Sequence, residues 1–276
     1  MPKKYPITTE EVKTIIADYT AGKTLRQMEK SSIHCRNYIA KILKENGITI
    51  RDNTINSRKY THNENFFSCI DDEKKAYWLG FIYADGFIES KRENGNQKLG
   101  ITLNVIDKDH IEIFKEHIQA TNPIKVYRGS GYNSNGYFAK ILLTSEKTVN
   151  DLKELGVLEN KTSKLIFPEE TKVSKSLLRH FVRGYFDGDG TLYYSYDKYN
   201  NRNYQISFIG TKNMMQGINK FFNKDLVILQ QRSAWRINFG GNLQVKSFLD
   251  KLYNNSSVYL KRKYIKYLDL CKYIER

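Results

Sequence analysis

Two aspartates stand at equivalent places in a duplicated stretch of this 276-residue sequence. Asp85 and Asp189 are separated by 189 − 85 = 104 positions, and each is followed directly by a glycine. Carboxylate oxygens are preferred ligands of hard divalent cations such as Mg²⁺. A cation held by such a pair can activate water and stabilise the attacking and leaving oxygens of a displacement at phosphorus. The residue types and their repetition therefore predict metal-assisted hydrolysis of phosphodiesters.

Small residues upstream of each aspartate predict how the pair is brought together. Gly80 and Gly184 each lie five residues before an aspartate, in stretches with helical character. A glycine within a helix costs about 1 kcal/mol relative to alanine, so two equivalent ones need a reason. With Ala84 and Gly188 they form small-residue stripes at a spacing of four, which lets two helix backbones approach closely. We therefore expect the two helices to cross at these stripes and to end side by side.

The glycines that follow the aspartates, Gly86 and Gly190, are expected to be left-handed helix caps. Both carboxylates would then lie at helix C-termini, where the helix dipole disfavours negative charge, and like charges held close raise each other's pKa. A divalent cation relieves that conflict, so the sequence predicts Mg²⁺ or Mn²⁺ bound by Asp85 and Asp189. One Asp-Gly pair after a helix is more often an ordinary turn, but two with the same glycine stripe favour a metal site.

The residues around each aspartate predict the same succession of elements, α-β-β-α-β-β-α, in two copies that span 66–170 and 171–276. The first helix is expected to begin near Asp72 in one copy and at a Ser174 cap in the other. In the strands, alternation would place Val105 inward with its apolar neighbours. Each copy should therefore form a four-stranded antiparallel sheet with helices on one face, which is an α+β fold.

The charge of the chain points to a polyanionic partner. Forty-five Lys and Arg against 30 Asp and Glu leave a formal net charge of +15. Such an excess attracts nucleic acid, because neutralising phosphates releases condensed counterions, although a basic protein need not bind any. Polar side chains on the open face of a sheet can also read base edges in a major groove. The candidates in the two copies are Lys91, Thr102, Asn104, Lys140, Tyr193, Gln205, Ser207, Arg232, Arg236 and Asn238.

Residues 1–50 predict a small all-α N-terminal domain, joined to the rest by a polar linker over 51–65. Two short helices around a tight turn, the second rich in Arg, Asn and Lys, are typical of a helix-turn-helix DNA-binding unit. A structural module of three helices with solvated charges is the alternative. On the DNA-binding interpretation, the residues expected to face a major groove are His34, Arg36, Asn37 and Lys41.

The segments WLGFIYADG (78–86) and VRGYFDGDG (182–190) resemble the paired motifs of the monomeric LAGLIDADG homing endonucleases. NKTSKLIFPEE and VYLKRKYIKYL extend the resemblance over roughly 66–276. It implies a pseudo-twofold saddle of two sheets on double-stranded DNA with a long target site. It also implies a monomer that cuts both strands in a metal-dependent reaction across the minor groove, leaving staggered ends. The catalytic acids map to Asp85 and Asp189, the metal site includes Ala84 and Gly188, and basic residues near the site would be Lys161 and Lys263.

Four positions depart from the family pattern. Tyr83 replaces the acidic residue usual at the sixth motif position, which the second motif keeps as Asp187. Arg183 stands where a small residue is common. Val105 and Ile209 stand where some members place a water-orienting glutamine. The resemblance therefore leaves open which polar groups position the nucleophile.

Two other functions fit the same features: a non-cleaving DNA-binding regulator and an RNA-binding intron maturase. Retention of both aspartates argues against the regulator, while the basic, Tyr-rich surface is compatible with the maturase. Three scattered cysteines without a CxxC pair predict a reducing, intracellular compartment: cytoplasm or nucleoid, an organelle, or a phage-infected cell. We expect no membrane span and no signal peptide, and the absence of intein splicing residues indicates a freestanding or intron-encoded protein.

Overall fold

The computed structural model describes residues 7–50, 59–89, 96–131 and 135–275. The predicted DNA-binding residue Lys91 and much of the predicted linker lie outside these ranges. The chain divides into two compact units, Met1–Lys59 and Tyr60–Arg276. None of the helices in the described ranges is long and apolar enough to cross a membrane.

The first unit contains α1 (Thr9–Thr20), α2 (Leu25–Ser31) and α3 (Arg36–Glu45). Capping boxes open the first two helices, because Thr8 and Thr24 accept hydrogen bonds from the main chain of the third helical residue, whose side chain returns the contact. The helices share a core of their own, formed by Ile15, Tyr19, Leu25, Met28, Ile39, Ile42 and Leu43.

The second unit holds two copies of the same arrangement. The first copy comprises α4 (Glu73–Asp85), β1 (Gly86–Glu89), β2 (Lys98–Asn104), α5 (Lys108–His117), β3 (Lys125–Arg128), β4 (Tyr137–Thr144) and α6 (Glu146–Glu154). The second comprises α7 (Leu178–Asp189), β5 (Thr191–Tyr196), β6 (Arg202–Gly210), α8 (Lys212–Phe222), β7 (Ile228–Gln231), β8 (Ala234–Gly240) and α9 (Asn242–Tyr253), followed by α10 (Lys261–Ile274). The sheets are antiparallel, in the orders β1-β2-β4-β3 and β5-β6-β8-β7. The predicted α+β fold with a pseudo-twofold repeat is confirmed.

Strand β2 shows how the sequence sets the two faces of the sheet. Leu99, Ile101 and Leu103 are buried, whereas the alternating Thr102 is half-buried. The expected inward position of Val105 is wrong, because the strand ends at Asn104. The Asn104 side chain accepts a hydrogen bond from the main-chain N–H of Ile106 at 3.1 Å and opens a short 3₁₀ turn over Val105–Asp107.

Helix α7 begins three residues later than expected, with Leu177 rather than Ser174 at its N-cap position. Ser174 does not cap it: the carbonyl of Ser174 accepts from the Leu177 N–H at 2.9 Å in a separate turn, and the Ser174 hydroxyl meets that of Ser176. The helix starts at Leu178 without a side-chain cap. Its position therefore depends on packing rather than on local capping.

Helices α4 and α7 cross at the predicted glycine stripes. A β-carbon added to Gly80 would overlap the carbonyl oxygen of Phe181, and one added to Gly184 would overlap that of Tyr77. Nearer the helix ends, a β-carbon on Gly188 would overlap the Ala84 methyl. The two backbones are thus in direct contact, which only these small residues permit.

The expectation that Gly86 and Gly190 are left-handed caps is wrong. Their φ/ψ angles are −76°/159° and −82°/160°, which is extended backbone. In each copy the chain passes directly from the helix into a strand at this glycine. The Gly86 N–H still donates to the carbonyl of Ile82, and the Gly190 N–H to that of Phe186. A β-carbon at either glycine would collide with that turn, so the requirement is for space.

Candidate active site

Asp85 and Asp189 are the last residues of the crossed helices α4 and α7. The helix ends meet there: a β-carbon placed on Gly188, the neighbour of Asp189, would lie 3.3 Å from the Asp85 Oδ2. Both residues are half-buried, and neither carboxyl group accepts a hydrogen bond from a described residue. The structure therefore brings together two carboxyl groups that are partly shielded from water and have no protein donors.

Burial is the main influence on both acids. It raises the pKa of Asp85, and it raises the pKa of Asp189 to about 6 with a further contribution from the charge of Asp85. The ammonium groups of Lys161 and Lys263 lower both pKa values in part. Loss of water is thus a larger cause of the raised pKa values than the expected repulsion between like charges at the helix ends.

Lys161 and Lys263 are both buried and reach the ends of the motif helices. The Lys161 Nζ donates to the carbonyl of Ala84 at 2.6 Å. The Lys263 Nζ, in the first turn of α10, donates to the carbonyls of Phe186 and Gly190 at 2.5 Å and lies 3.3 Å from that of Gly188. Each lysine thus binds C-terminal carbonyls of the motif helix in its own copy, where a cation is favourable.

Burial also lowers the pKa of both lysines. The pKa of Lys263 falls to about 8, and that of Lys161 is lowered against the opposing attraction of Asp85 and Asp189. For Lys263, the charge of Asp187 is the strongest opposing influence. Two acids and two amines therefore share one desolvated region, where proton positions respond to small changes in surroundings.

The sixth motif position supports the lysine-bearing segment in both copies. Asp187 is fully buried and accepts from the hydroxyls of Tyr77 and Tyr253 at 2.8 and 2.6 Å. It also accepts from the Leu260 N–H at 2.8 Å, directly before the helix that carries Lys263. In the first copy the Tyr83 hydroxyl donates to the carbonyl of Leu155 at 2.6 Å, in the segment that leads to Lys161.

Arg183 has a structural role that explains why it departs from the family pattern. Its guanidinium is completely buried and donates to the carbonyls of Val258 and Leu252 at 2.8 and 2.9 Å. It also donates to Glu73 Oε1 at 2.7 Å, an oxygen that accepts from Ser257 N as well. These bonds tie the segment before α10 to the start of α4.

The donor set suits a divalent cation at the paired helix ends. Within the described ranges, no cluster of three or more His, Cys, Asp or Glu side chains could hold a metal ion. An ion at the helix ends would be held by Asp85 and Asp189. The predicted ligands Ala84 and Gly188 have main-chain carbonyls at the same place, where they accept from the ammonium groups of Lys161 and Lys263. The observation that fits such an ion is the pair of half-buried carboxyl groups that accept no hydrogen bond from a described residue.

Several predicted DNA-binding residues lie on the open faces of the sheets. Thr102 pairs with Lys140, and Tyr193 pairs with Gln205. The Lys140 ammonium is 3.4 Å from Glu89 Oε1, and the Tyr193 hydroxyl donates to Gln205 Oε1 at 2.8 Å.

The remaining DNA-binding candidates on the sheets differ in their exposure to solvent. Asn238 and Arg232 are exposed, the latter in the β7–β8 turn with φ of 54°. Arg236 is half-buried, and its Nε is buried without a partner among the described residues. Ser207 is only 6% exposed, because it lies on the inner strand β6 between two neighbours. Asn104 is exposed and caps a turn.

In the N-terminal unit the expectation for His34 is wrong. It is 8% exposed, and its ring packs on Tyr38 with centroids 5.1 Å apart. Arg36, Asn37 and Lys41 are exposed on α3, as expected. The position of His34 in the turn before α3 gave no sign that this ring would pack inward.

The comparisons bear on the fold alone. No family model and no curated protein matches the chain. A crystal structure of the I-LtrWI LAGLIDADG homing endonuclease bound to target DNA is similar with a TM-score of 0.52 and 11% identity, covering 77% of this chain and 92% of that one. A structure of an I-SmaMI mutant is similar with a TM-score of 0.52 and 10% identity, covering 73% of this chain and 90% of that one. The fold is therefore one found in LAGLIDADG homing endonucleases.

Proposed function

We propose that this chain is a site-specific, double-strand DNA endonuclease of the LAGLIDADG homing type. The observation that carries the proposal is the pair of half-buried aspartates, Asp85 and Asp189, at the ends of two crossed helices and without hydrogen-bond donors among the described residues. A non-catalytic protein gains nothing from keeping two desolvated carboxyl groups together. The likeness to a homing endonuclease bound to target DNA supports the same conclusion.

Divalent-metal dependence is part of the proposal, with Mg²⁺ or Mn²⁺ held by Asp85, Asp189 and the carbonyls of Ala84 and Gly188. Such an ion, when bound, activates water and stabilises charge on the phosphate oxygens. The aspartates would remain ionised to bind it. One acid comes from each copy, so the pseudo-twofold relation offers one carboxylate to each strand of a duplex.

Lys161 and Lys263 are proposed to stabilise negative charge on the scissile phosphates or to polarise the attacking water. Both ammonium groups lie at the helix ends with the aspartates. The pKa of Lys263, about 8, makes both its protonated and neutral forms accessible near neutral pH. Asp187 and Tyr83 would act through the lysines by fixing the segments that carry them.

DNA would be bound along the open faces of the two sheets, supported by the net charge of +15. Arg236 is suited to guanine because it is a half-buried arginine on this face, paired with Ile209 in the sheet, and a guanidinium can donate two hydrogen bonds to a guanine edge. The N-terminal unit is proposed to add a helix-turn-helix-like contact through Arg36, Asn37 and Lys41 of α3.

A target selection followed by cleavage assays tests this function. The full chain is incubated with a degenerate duplex library and Mg²⁺, and cut sequences are recovered. We expect staggered double-strand breaks at one sequence. Asp85→Asn and Asp189→Asn should abolish cutting while binding persists, whereas Asp225→Asn, at an exposed site, should cut normally. Binding without cleavage under any metal condition would identify a regulator, and selective binding of folded intron RNA would identify a maturase.

A further inference from the structure

The strand registers show which positions on the open face of one sheet are equivalent to positions on the open face of the other. Phe87 pairs with Gly100, which pairs with Leu142, across β1, β2 and β4. Thr191 pairs with Ser207, which pairs with Asn238, across β5, β6 and β8. Phe87 and Thr191 each follow a candidate catalytic aspartate by two residues, so these rows are equivalent. We call them the first-copy row and the second-copy row.

The first-copy row has only apolar side chains. The Phe87 ring occupies the place that a β-carbon on Gly100 would take, so the absence of a side chain there lets the ring lie across the strand. Phe87 and Leu142 are half-buried, on the face opposite the buried Leu99, Ile101 and their neighbours. No side chain of this row carries a hydrogen-bonding group.

The charges around the first-copy row are largely paired. The Lys140 ammonium lies 4.8 Å from the centre of the Phe87 ring and 3.4 Å from Glu89 Oε1. Lys98 lies 3.5 Å from the other oxygen of Glu89. Glu89 thus holds both lysines beside the row, with the Lys140 ammonium over the Phe87 ring, while Phe87 and Leu142 each keep part of their surface exposed.

The second-copy row has the opposite chemistry. Thr191 and Asn238 are exposed, and every member of the row carries a hydroxyl or an amide. Asn238 offers both a donor and an acceptor, the combination that pairs with adenine in the major groove. Matching positions of the two copies are therefore built for different base edges.

Thymine alone presents a methyl group among the four bases in the major groove, and apolar side chains recognise it by contact. We propose that Phe87 and Leu142 select thymine through its 5-methyl group, whereas the matching position of the other half-site is read by hydrogen bonds from Thr191 and Asn238. This inference rests on the proposed DNA-binding function. It assigns base selectivity to two residues that carry no polar group.

Uracil substitution tests the proposal without cleavage. Each thymine of the selected target is replaced singly by uracil, which removes only the methyl group, and the Kd of the full chain is measured by fluorescence anisotropy in EDTA. We expect one thymine whose replacement raises the Kd about fourfold, as the loss of one buried methyl predicts. Leu142→Asn, which copies Asn238, and Leu142→Ala should each remove the difference between thymine and uracil at that position.

Val126→Asn is the control variant, because Val126 is an exposed residue of β3 on the opposite face and should leave the uracil effect unchanged. The proposal is overturned if no uracil substitution weakens binding, or if the effect survives both Leu142 variants. In either case specific binding of the unmodified target leaves the proposed function standing. Absence of any binding to duplex DNA would overturn both.

Discussion

Gly80 faces the carbonyl oxygen of Phe181 so closely across the helix crossing that no β-carbon fits between them. The pseudo-twofold mate of this contact joins Gly184 to the carbonyl of Tyr77. Because these contacts involve main chain on both sides, no side-chain movement can relieve an added methyl group. The placement of Asp85 and Asp189 therefore depends on glycine five residues upstream in each helix.

Gly80→Ala is expected to lower the free energy of unfolding by about 3 kcal/mol, because two packed backbones must separate. Urea unfolding followed by circular dichroism measures it. Gly240→Ala is the control, since its added methyl would lie 3.2 Å from the flexible Gln205 side chain, and it should cost less than about 1 kcal/mol. Equal effects of the two substitutions would contradict the crossing geometry.

Asp189→Asn is expected to stabilise the metal-free protein near neutral pH. The pKa of Asp189 is raised from 3.8 to about 6, so between these values the folded state holds a proton that the unfolded state has lost. The contribution of this carboxyl to stability therefore falls as pH rises through that window and stays low above it. We expect almost no gain at about pH 4 and a gain of about 3 kcal/mol at about pH 7.5.

Urea titrations in EDTA at the two pH values measure that gain. The exposed Asp225→Asn is the control and should show the same small difference at both. If Asp189→Asn were no more stable than the parent at the higher pH, the carboxyl would not be desolvated as the structure has it. Saturating Mg²⁺ should reverse the order of stability, because only the parent retains both carboxylates.

The elements and the two aspartates were predictable because their signals are local. Alternation in β2 and the repeated Gly-x-x-x-small stripe before Asp85 and Asp189 each fall within a few residues. Chain duplication strengthened both signals. Failures also have local causes: Asn104 ends its strand by capping a turn, and Ser174 forms a turn of its own.

The supporting bonds of the site were not predictable because their partners are far apart in the chain. Asp187 meets Tyr77 across 110 positions, and Lys161 meets Ala84 across 77. The charged residues Arg183 and Asp187, placed among apolar neighbours in a motif helix, were the available signal that buried polar partners exist. It could not say which residue that partner is.

Glu73→Gln is expected to destabilise the protein by about 3 kcal/mol, because it leaves the buried guanidinium of Arg183 without a counter-charge. Thermal or urea unfolding at neutral pH measures the loss. Glu10→Gln is the control, since the Glu10–Lys13 pair is exposed and should contribute less than about 1 kcal/mol. If both substitutions cost the same, the Arg183 contacts would not anchor the segment before α10.

Asp187→Asn is expected to slow cleavage about 100-fold at saturating DNA, because the segment that carries Lys263 loses its charged anchor. The Kd for DNA should change less than about twofold, since Asp187 is buried away from the sheet faces. Single-turnover cleavage and anisotropy separate the two effects. Tyr253→Phe removes one of the three hydrogen bonds to Asp187 and should slow cleavage much less. A parallel loss of binding would show general misfolding instead of a positioning role.

Deleting residues 1–50 is expected to shorten the DNA footprint while cleavage persists, because this segment has its own hydrophobic core and the candidate active site lies in the other unit. Footprinting and Kd values at several salt concentrations measure the change. Arg36→Ala in the full chain should weaken binding and lower the salt dependence by about one released ion if Arg36 contacts a phosphate. Lys13→Ala, on α1 and paired with Glu10, is the matched loss of one exposed positive charge and should change neither. A footprint of unchanged length after the deletion would reduce the N-terminal unit to a structural module of three helices.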